Sequence, residues 1–343
     1  MKPIIAAFDI AYPSDLKYSL AKHAEFKKIY RRLMRYENFF KEENVSFKDY
    51  GILWQDELSS EKSAPIEQLK YCAHGDFYMG FRNIGTHTLI ERYKKDPITG
   101  YWARYSEAVR ERFNRFDITP DGTKLIANGA NELYIFDISK SLNTKLEKQI
   151  KIFEDDNVFI TDIQAPSNDA VFVSTGYYTS KNVVPQSRLF CVELEYVAIM
   201  EITIPIEAAG RHFVKVSEKP FRFATVNNSY YSNATKGFTG HIKISDTSKI
   251  VNEIRLDHSV ANFAFTPKGK YVVSLEEKQE ENIVHITEAE TGVEIRQIDN
   301  LPKKQHEGNQ SDSIMILPDL SIAIFNPGRL GGTLTMIGRV DED

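Results

Sequence analysis

The sequence predicts an all-β protein in which small antiparallel sheets of four strands repeat around a ring. Three observations predict this fold. Short apolar and β-branched runs alternate with turns that are rich in proline, glycine, asparagine and aspartate. The runs group into six similar units between residues 65 and 340. The last unit lacks one strand, and the amino terminus supplies a spare one.

The clearest unit spans residues 258–300. Its four predicted strands are residues 260–265, 271–275, 283–287 and 293–298, and Pro267, Gly269 and Gly292 mark the turns between them. A single sheet of this size cannot bury both of its faces. We therefore expect copies of the unit to pack against one another.

The two ends of the chain are predicted to close the ring. The last unit offers only three strands, at residues 313–317, 321–325 and 333–340, whereas residues 4–10 form an isolated strand. Pairing them removes the open sheet edges that invite aggregation. The sequence thus predicts a six-bladed β-propeller, or a seven-bladed one if residues 44–64 add an irregular blade. The predicted division is a closing strand at 1–10, a helical insertion and connector at 11–64, and the propeller at 65–343.

The helical insertion is strongly basic. Ser14 or Asp15 can cap a helix, and apolar residues then recur near the helical period up to Phe40. The basic residues that we single out on it are Lys27, Lys28, Arg31, Arg32 and Arg35. Such a helix can bind nucleic acid or an anionic membrane, or it can present a solvated face while packing on the propeller.

Composition excludes several classes of protein. The net charge of -5 gives no global reason to bind nucleic acid, and 42% hydrophobic residues suffice for a packed core. The two cysteines, Cys72 and Cys191, lie far apart in apolar strands and are predicted to be buried, inert thiols. The amino terminus reaches Asp9 too soon for a signal-peptide core, and no run approaches a membrane span. We expect a cytoplasmic protein.

Residues 65–340 resemble the WD-repeat β-propellers. In the fifth unit, Asp257-His258 stands where that family has Gly-His, residues 265–270 resemble its Phe-Ser-Pro-Asp-Gly-Lys turn, and His285 falls in the strand that usually ends in Trp-Asp. No unit contains Trp-Asp, and five of the six lack the Gly-His pair. The resemblance implies a rigid, usually noncatalytic platform for protein partners, with His258 as a structural hydrogen-bonding residue.

No catalytic, metal or cofactor site is predicted. The eight histidines are scattered without a metal-binding spacing, and no nucleophile elbow is present. Residues 328–332 are glycine-rich, but they join two strands and do not open a helix, which favours a turn over a phosphate cradle. A propeller hydrolase or lyase with its site in the central channel remains the alternative from another class.

One group of residues is typical of a partner-binding surface. The loops between second and third strands emerge on one face of the ring, and two successive loops, residues 176–182 and 227–236, each contain a Tyr-Tyr pair. Tyrosine and arginine dominate binding hot spots, although these tyrosines can also pack their own loops. The predicted partner-binding residues are Tyr177, Tyr178, Tyr230, Tyr231, Arg82, Lys278 and Arg329. The sequence thus predicts a noncatalytic protein-interaction scaffold, a subunit of a larger assembly, with the basic helix as a second contact.

Overall fold

The computed structural model describes residues 45–59, 65–73, 75–139, 144–154, 157–165, 168–178, 183–195, 197–202, 214–218, 221–231, 237–245, 249–278, 281–302, 312–328 and 331–340. These residues form six antiparallel sheets of four strands each. The six-bladed prediction is confirmed, and the described part of the segment 44–64, residues 45–59, contributes β1 to the last of these sheets and not a seventh blade.

Each blade consists of strands that are consecutive along the chain, except the last. We number the blades from the amino-terminal side. Blade 1 contains β2 (Gln68–Cys72), β3 (Phe77–Ile84), β4 (His87–Lys95) and β5 (Trp102–Val109). Blade 2 contains β6 (Arg115–Ile118), β7 (Lys124–Asn128), β8 (Glu132–Asp137) and β9 (Lys145–Lys151). Blade 3 contains β10 (Val158–Gln164), β11 (Ala170–Tyr178), β12 (Val183–Glu193) and β13 (Ile199–Ile202).

The other three blades follow the same plan. Blade 4 contains β14 (Val214–Glu218), β15 (Phe221–Tyr231), β16 (Gly237–Ser245) and β17 (Ile250–Leu256). Blade 5 contains β18 (Ser259–Phe265), β19 (Tyr271–Glu277), β20 (Asn282–Glu288) and β21 (Glu294–Leu301). Blade 6 contains β22 (Ser313–Ile316), β23 (Ile322–Gly328), β24 (Gly331–Arg339) and, outermost, β1 (Tyr50–Ser59).

The innermost strands close the ring. Each first strand of a blade contacts the first strand of the next, and β22 of blade 6 contacts β2 of blade 1. A separate apolar cluster fills each of the six interfaces between neighbouring blades. We call the side that carries the turns between second and third strands the upper face. The lower face carries the other turns within blades.

A strand near the amino terminus completes blade 6, as expected, but the strand is not the predicted one. Tyr50–Ser59 pairs along the outer side of β24, from Tyr50 opposite Arg339 to Ser59 opposite Gly331. Because β23 takes the other side of β24, the place that we assigned to residues 4–10 is occupied. Residues 4–10 and the predicted basic helix lie outside the described residues.

A bulge lets β1 bind both neighbouring blades. The register shifts between Ile52 and Trp54, leaving Leu53 as the extra residue. Ile52 consequently packs with the apolar cluster shared by blades 5 and 6, whereas Trp54 packs with the cluster shared by blades 6 and 1. The 3-10 helix Phe47–Asp49 precedes β1 on the lower face, where the Asp49 carbonyl accepts a hydrogen bond from the Val340 N–H at 2.9 Å.

Within the described part of the chain, no helix is long and apolar enough to span a membrane.

Candidate interaction surface

Blades 3 and 4 have the longest central hairpins of the ring. Their second and third strands have nine and eleven residues in blade 3, and eleven and nine in blade 4. The corresponding strands have five and six residues in blade 2, and seven each in blade 5. The extra length lies toward the upper face, so two neighbouring blades project there beyond the body of the ring.

The blade 4 hairpin ends in a two-stranded ribbon. On its inner side, β14 pairs with β15 only as far as Thr225, and on its outer side β17 pairs with β16 only from Gly240. Residues 229–231 and 237–239 therefore pair only with each other among the described strands, with Tyr230 opposite Phe238. Three residue pairs extend this ribbon by roughly 10 Å.

The blade 3 hairpin extends past its outer neighbour only, because on its inner side β10 pairs with it as far as Val158 opposite Tyr177. Tyr177 pairs with Val184, and Tyr178 pairs with Val183. The described part of the fourth strand, β13, pairs with β12 only from Leu189 onward, so residues 183–188 run past it. The hairpin therefore also rises above its outer neighbour.

The four predicted tyrosines thus lie in strands and not in loops. Tyr177 and Tyr178 end β11, and Tyr230 and Tyr231 end β15. The hairpin tips, residues 179–182 and 232–236, lie outside the described residues. The sequence missed Phe238, although its placement opposite Tyr230 follows once both segments are recognised as strands of one hairpin.

A glycine stands near the base of each projecting hairpin, where no side chain fits. A Cβ on Gly176 would lie 2.5 Å from the Phe159 ring. A Cβ on Gly240 would lie 2.5 Å from Val260 Cγ2 and 2.7 Å from the His258 carbonyl oxygen, both in the neighbouring blade. These close approaches fix the hairpin bases against their surroundings.

Arg82 is buried and does not belong to the surface that we predicted. It lies within β3 at 0% exposure, and its guanidinium binds the Glu91 carboxylate through Nε, at 2.8 Å, and Nη2. The Tyr93 hydroxyl donates to the same carboxylate at 2.6 Å. Burial and the Glu91 charge raise the pKa of Tyr93, so the hydroxyl keeps its proton. Arg82 therefore stabilises blade 1 and is unavailable to a partner.

Of the other predicted site residues, one is described by the structure and the rest are not. Lys278 is half-buried in the turn after β19, on the upper face, where its backbone N–H donates to the Glu281 carbonyl at 3.0 Å. Arg329 lies outside the described residues, as do Lys27, Lys28, Arg31, Arg32 and Arg35. A contact through the basic helix therefore stays a prediction.

Blade 5 contains a chain of hydrogen bonds around the buried carboxylate of Glu276. This carboxylate accepts the His258 backbone N–H at 2.7 Å and lies 3.0 Å from His285 Nε2. His285 Nδ1 lies 2.6 Å from Glu294, and His258 Nδ1 lies 3.3 Å from Glu276. The predicted structural role of His258 is confirmed.

Glu276 and His285 each stabilise the charged form of the other. Burial alone would raise the pKa of Glu276, but hydrogen bonds from His285 and His258 lower it to about 2. Burial alone would lower the pKa of His285, but its two carboxylate partners outweigh that effect and raise it. The Glu276 and His285 side chains are only 4% and 8% exposed, so this contact stabilises the interior of blade 5.

The described residues include no group of three or more His, Cys, Asp or Glu side chains placed to hold a metal ion. Cys72 is buried, as predicted, and its thiol lies 3.8 Å from the Gly122 carbonyl oxygen. Cys191 is only half-buried, and that burial raises the pKa of its thiol.

Comparison with known proteins adds little to this description. No family model matches the chain, and no curated protein matches it. The crystal structure of TolB from Acinetobacter baumannii is similar over 78% of this chain and 58% of that chain, with 16% identity and a TM-score of 0.44. The chain thus spans less than two thirds of that protein. This similarity is too low to support any argument, and the propeller assignment rests on the six sheets themselves.

Proposed function

We propose that this protein is a noncatalytic interaction platform, a subunit of a larger assembly, that binds a protein partner on the upper face of blades 3 and 4. The observation that carries the proposal is the pair of projecting hairpins in these two neighbouring blades. The WD-repeat resemblance of the sequence supports the same class of function.

The hairpin extensions suit a partner contact better than a structural role. Residues 229–231 and 237–239 extend past the described strands on either side of them, so the four-stranded pairing seen in blade 4 does not include them. Tyrosine supplies a large contact area at low entropic cost, and it is enriched in binding hot spots. Segments that project from a rigid scaffold are where binding residues concentrate.

The test compares two variants of the tagged protein. The hairpin variant changes Tyr177, Tyr178, Tyr230 and Tyr231 to alanine, and the control variant changes the exposed Met200 of blade 3 and Val293, before β21 of blade 5, to alanine. Partners that wild type retains are identified by mass spectrometry, and the affinity of the purified partner is then measured. Removing one hot-spot side chain costs about 2 kcal/mol or more. We therefore expect the hairpin variant to bind at least about 30-fold more weakly.

Equal thermal unfolding of the two variants controls for folding. A partner that binds both variants as well as wild type would exclude the hairpins as its contact. If no protein is retained, a screen with hydrolase and lyase substrates addresses the alternative of a channel enzyme. The predicted cytoplasmic location remains to be tested by cell fractionation.

A further inference from the structure

The outermost strand of blade 1, β5, is the least protected sheet edge among the described residues. Its exposed side chains are Ala103, Tyr105, Ser106 and Ala108, none of them charged. Every other outermost strand exposes at least one charged side chain. Examples are Lys145 in β9, Glu201 in β13, Arg255 in β17, Glu294 in β21 and Glu57 in β1. Charged residues on edge strands discourage pairing with a further strand, so β5 has the least protection of this kind among the described outermost strands.

The two charged residues of β5 are directed inward. Arg104 Nη1 lies 4.0 Å from Glu91 Oε1 inside blade 1. Both carboxylate oxygens of Glu107 accept the Thr144 N–H of blade 2, at 3.0 and 2.9 Å. Neither residue is placed to repel an added strand.

The turn that leads into β5 adds apolar surface. Ile98 is 92% exposed and Tyr101 is 79% exposed, the two highest values among the described large apolar residues. Tyr101 also lies on the same side of the chain as Ala103 and Tyr105, because side chains alternate along a strand. The uncharged edge therefore continues into an exposed apolar turn.

The exposed Ile98 and Tyr101 are not needed to build this turn. In residues 96–101 the Asp96 N–H donates to the Tyr101 carbonyl at 2.8 Å, and the Gly100 N–H donates to the Asp96 carbonyl at 2.9 Å. Residues 288–293 of blade 5 form the same turn with the same two hydrogen bonds, and carry Glu290 and Val293 at the corresponding positions. The positive φ of Gly100, 74°, matches that of Gly292, 73°.

We propose that β5 pairs antiparallel with this chain's own residues 3–10, PIIAAFDI. The sequence predicts a strand at residues 4–10, and residues 3–10 contain one charged residue, Asp9. Its apolar composition matches the uncharged edge of β5. The position first expected for it, beside β24, is filled by β1.

The course of the chain fits this pairing. The described chain begins at Val45 on the lower face, and β5 also begins there. A strand antiparallel to β5 ends on the lower face, so residue 10 would be on the same side of the ring as Val45. Residues 11–44 can span up to about 110 Å when extended, more than the width of the neighbouring blade. The attachment also gives residues 3–10 a high effective concentration at β5.

The test uses cysteine pairs in the full chain. Ala7→Cys is combined with Ala103→Cys or with Tyr105→Cys in β5. In the control it is combined with Gln297→Cys in β21. Gln297 is the fourth residue of β21, just as Tyr105 is the fourth residue of β5. A disulfide requires Cα atoms within about 7 Å of each other. Native thiols compete little, because Cys72 is buried and burial raises the pKa of Cys191.

We expect an intramolecular disulfide with β5 and none with β21. A cross-linked dimer would show that a second copy occupies the edge, and a cross-link only to β21 would place the segment on blade 5. Either result would overturn the proposal.

Hydrogen exchange provides a second measurement on the full chain. The N–H groups of β5 that point away from β4 should exchange at least about tenfold more slowly in wild type than in an Ile5→Lys variant, because pairing protects them. A Tyr105→Lys variant should show the same loss of protection, whereas Gln297→Lys should not. Equal exchange in wild type and Ile5→Lys would show that residues 3–10 do not cover β5.

Discussion

Replacing Glu91 by alanine should destabilise the propeller strongly, because it leaves the fully buried guanidinium of Arg82 without its carboxylate. In the structure Glu91 receives Arg82 Nε at 2.8 Å and the Tyr93 hydroxyl at 2.6 Å. Removing one member of a buried ion pair costs about 3–5 kcal/mol, since the remaining charge stays buried and unpaired. We expect the free energy of unfolding to fall by about this amount.

The assay is urea unfolding followed by circular dichroism, with Arg82→Met/Glu91→Leu as the matched control. The double variant removes both charges and refills the space with apolar atoms, so it should lie within about 2 kcal/mol of wild type or above it. A loss below about 1 kcal/mol for Glu91→Ala would refute the reasoning. A double variant as unstable as the single one would also contradict this expectation, because the cost would then come from packing and not from the loss of the Glu91 carboxylate beside a buried charge.

Three further predictions concern other parts of the ring. The Glu276–His285 contact should give most stability between about pH 4.5 and 6.5. The pKa of Glu276 is lowered from 4.5 to about 2 in the folded protein. Its contribution to the free energy of unfolding therefore disappears as the pH falls from 4.5 to about 2. The raised pKa of His285 makes its contribution disappear as the pH rises from 6.5 through the folded-state value. His285→Gln should flatten the high-pH side of a plot of unfolding free energy against pH, and an unchanged plot would contradict the assignment. Gly240→Ala should lower the free energy of unfolding by about 1–3 kcal/mol, because the added Cβ would meet Val260 and the His258 carbonyl. An unchanged urea midpoint would show that the base of the blade 4 hairpin is loosely packed. Asp56→Ala should cost up to about 1 kcal/mol, because the half-exposed Asp56 joins Lys95 Nζ at 2.5 Å and Trp102 Nε1 at 3.2 Å across blades 6 and 1. It should also shift the emission of Trp54 and Trp102, the chain's two tryptophans, whereas Glu57→Ala should not; identical spectra would contradict this link.

The repeating fold could be predicted because each blade is specified by local sequence. In blade 5, the predicted strand at 271–275 falls within the observed Tyr271–Glu277, and the turn at Gly269 adopts the positive φ of 67° that favours glycine. Alternating apolar runs and turn residues are properties of short segments, so no distant contact was needed to recognise them.

The closing strand was missed because its bulge changes which residues are buried. Tyr50 and Ile52 pack toward blade 5, whereas Trp54 and Leu58 pack toward blade 1, so no single face of the segment is continuously apolar. The run at 4–10 is more apolar and therefore had the stronger local signal. Which segment pairs with β24 depends on its fit to two neighbouring blades, which local sequence does not show.

The candidate site was predicted in part for a similar reason. The sequence placed the two Tyr-Tyr pairs between second and third strands, and the structure has them at the ends of β11 and β15. Their contact with a partner stays a prediction. Arg82 was placed on the surface because it was assigned, with Asn83, to the loop between the second and third strands of the first unit. Its burial depends on Glu91 and Tyr93 of the next strand, and that contact becomes visible only once the register of β3 and β4 is known.

β1 closes a ring whose upper face carries the projecting hairpins of blades 3 and 4. The most direct test compares the thermal unfolding of chains that begin at residue 45 and at residue 60. We expect a cooperative transition for the first chain. For the second we expect the loss of that transition, or a large fall in its midpoint, because removing β1 opens β24 and both adjoining clusters. Equal midpoints for the two chains would show that β1 does not close the ring.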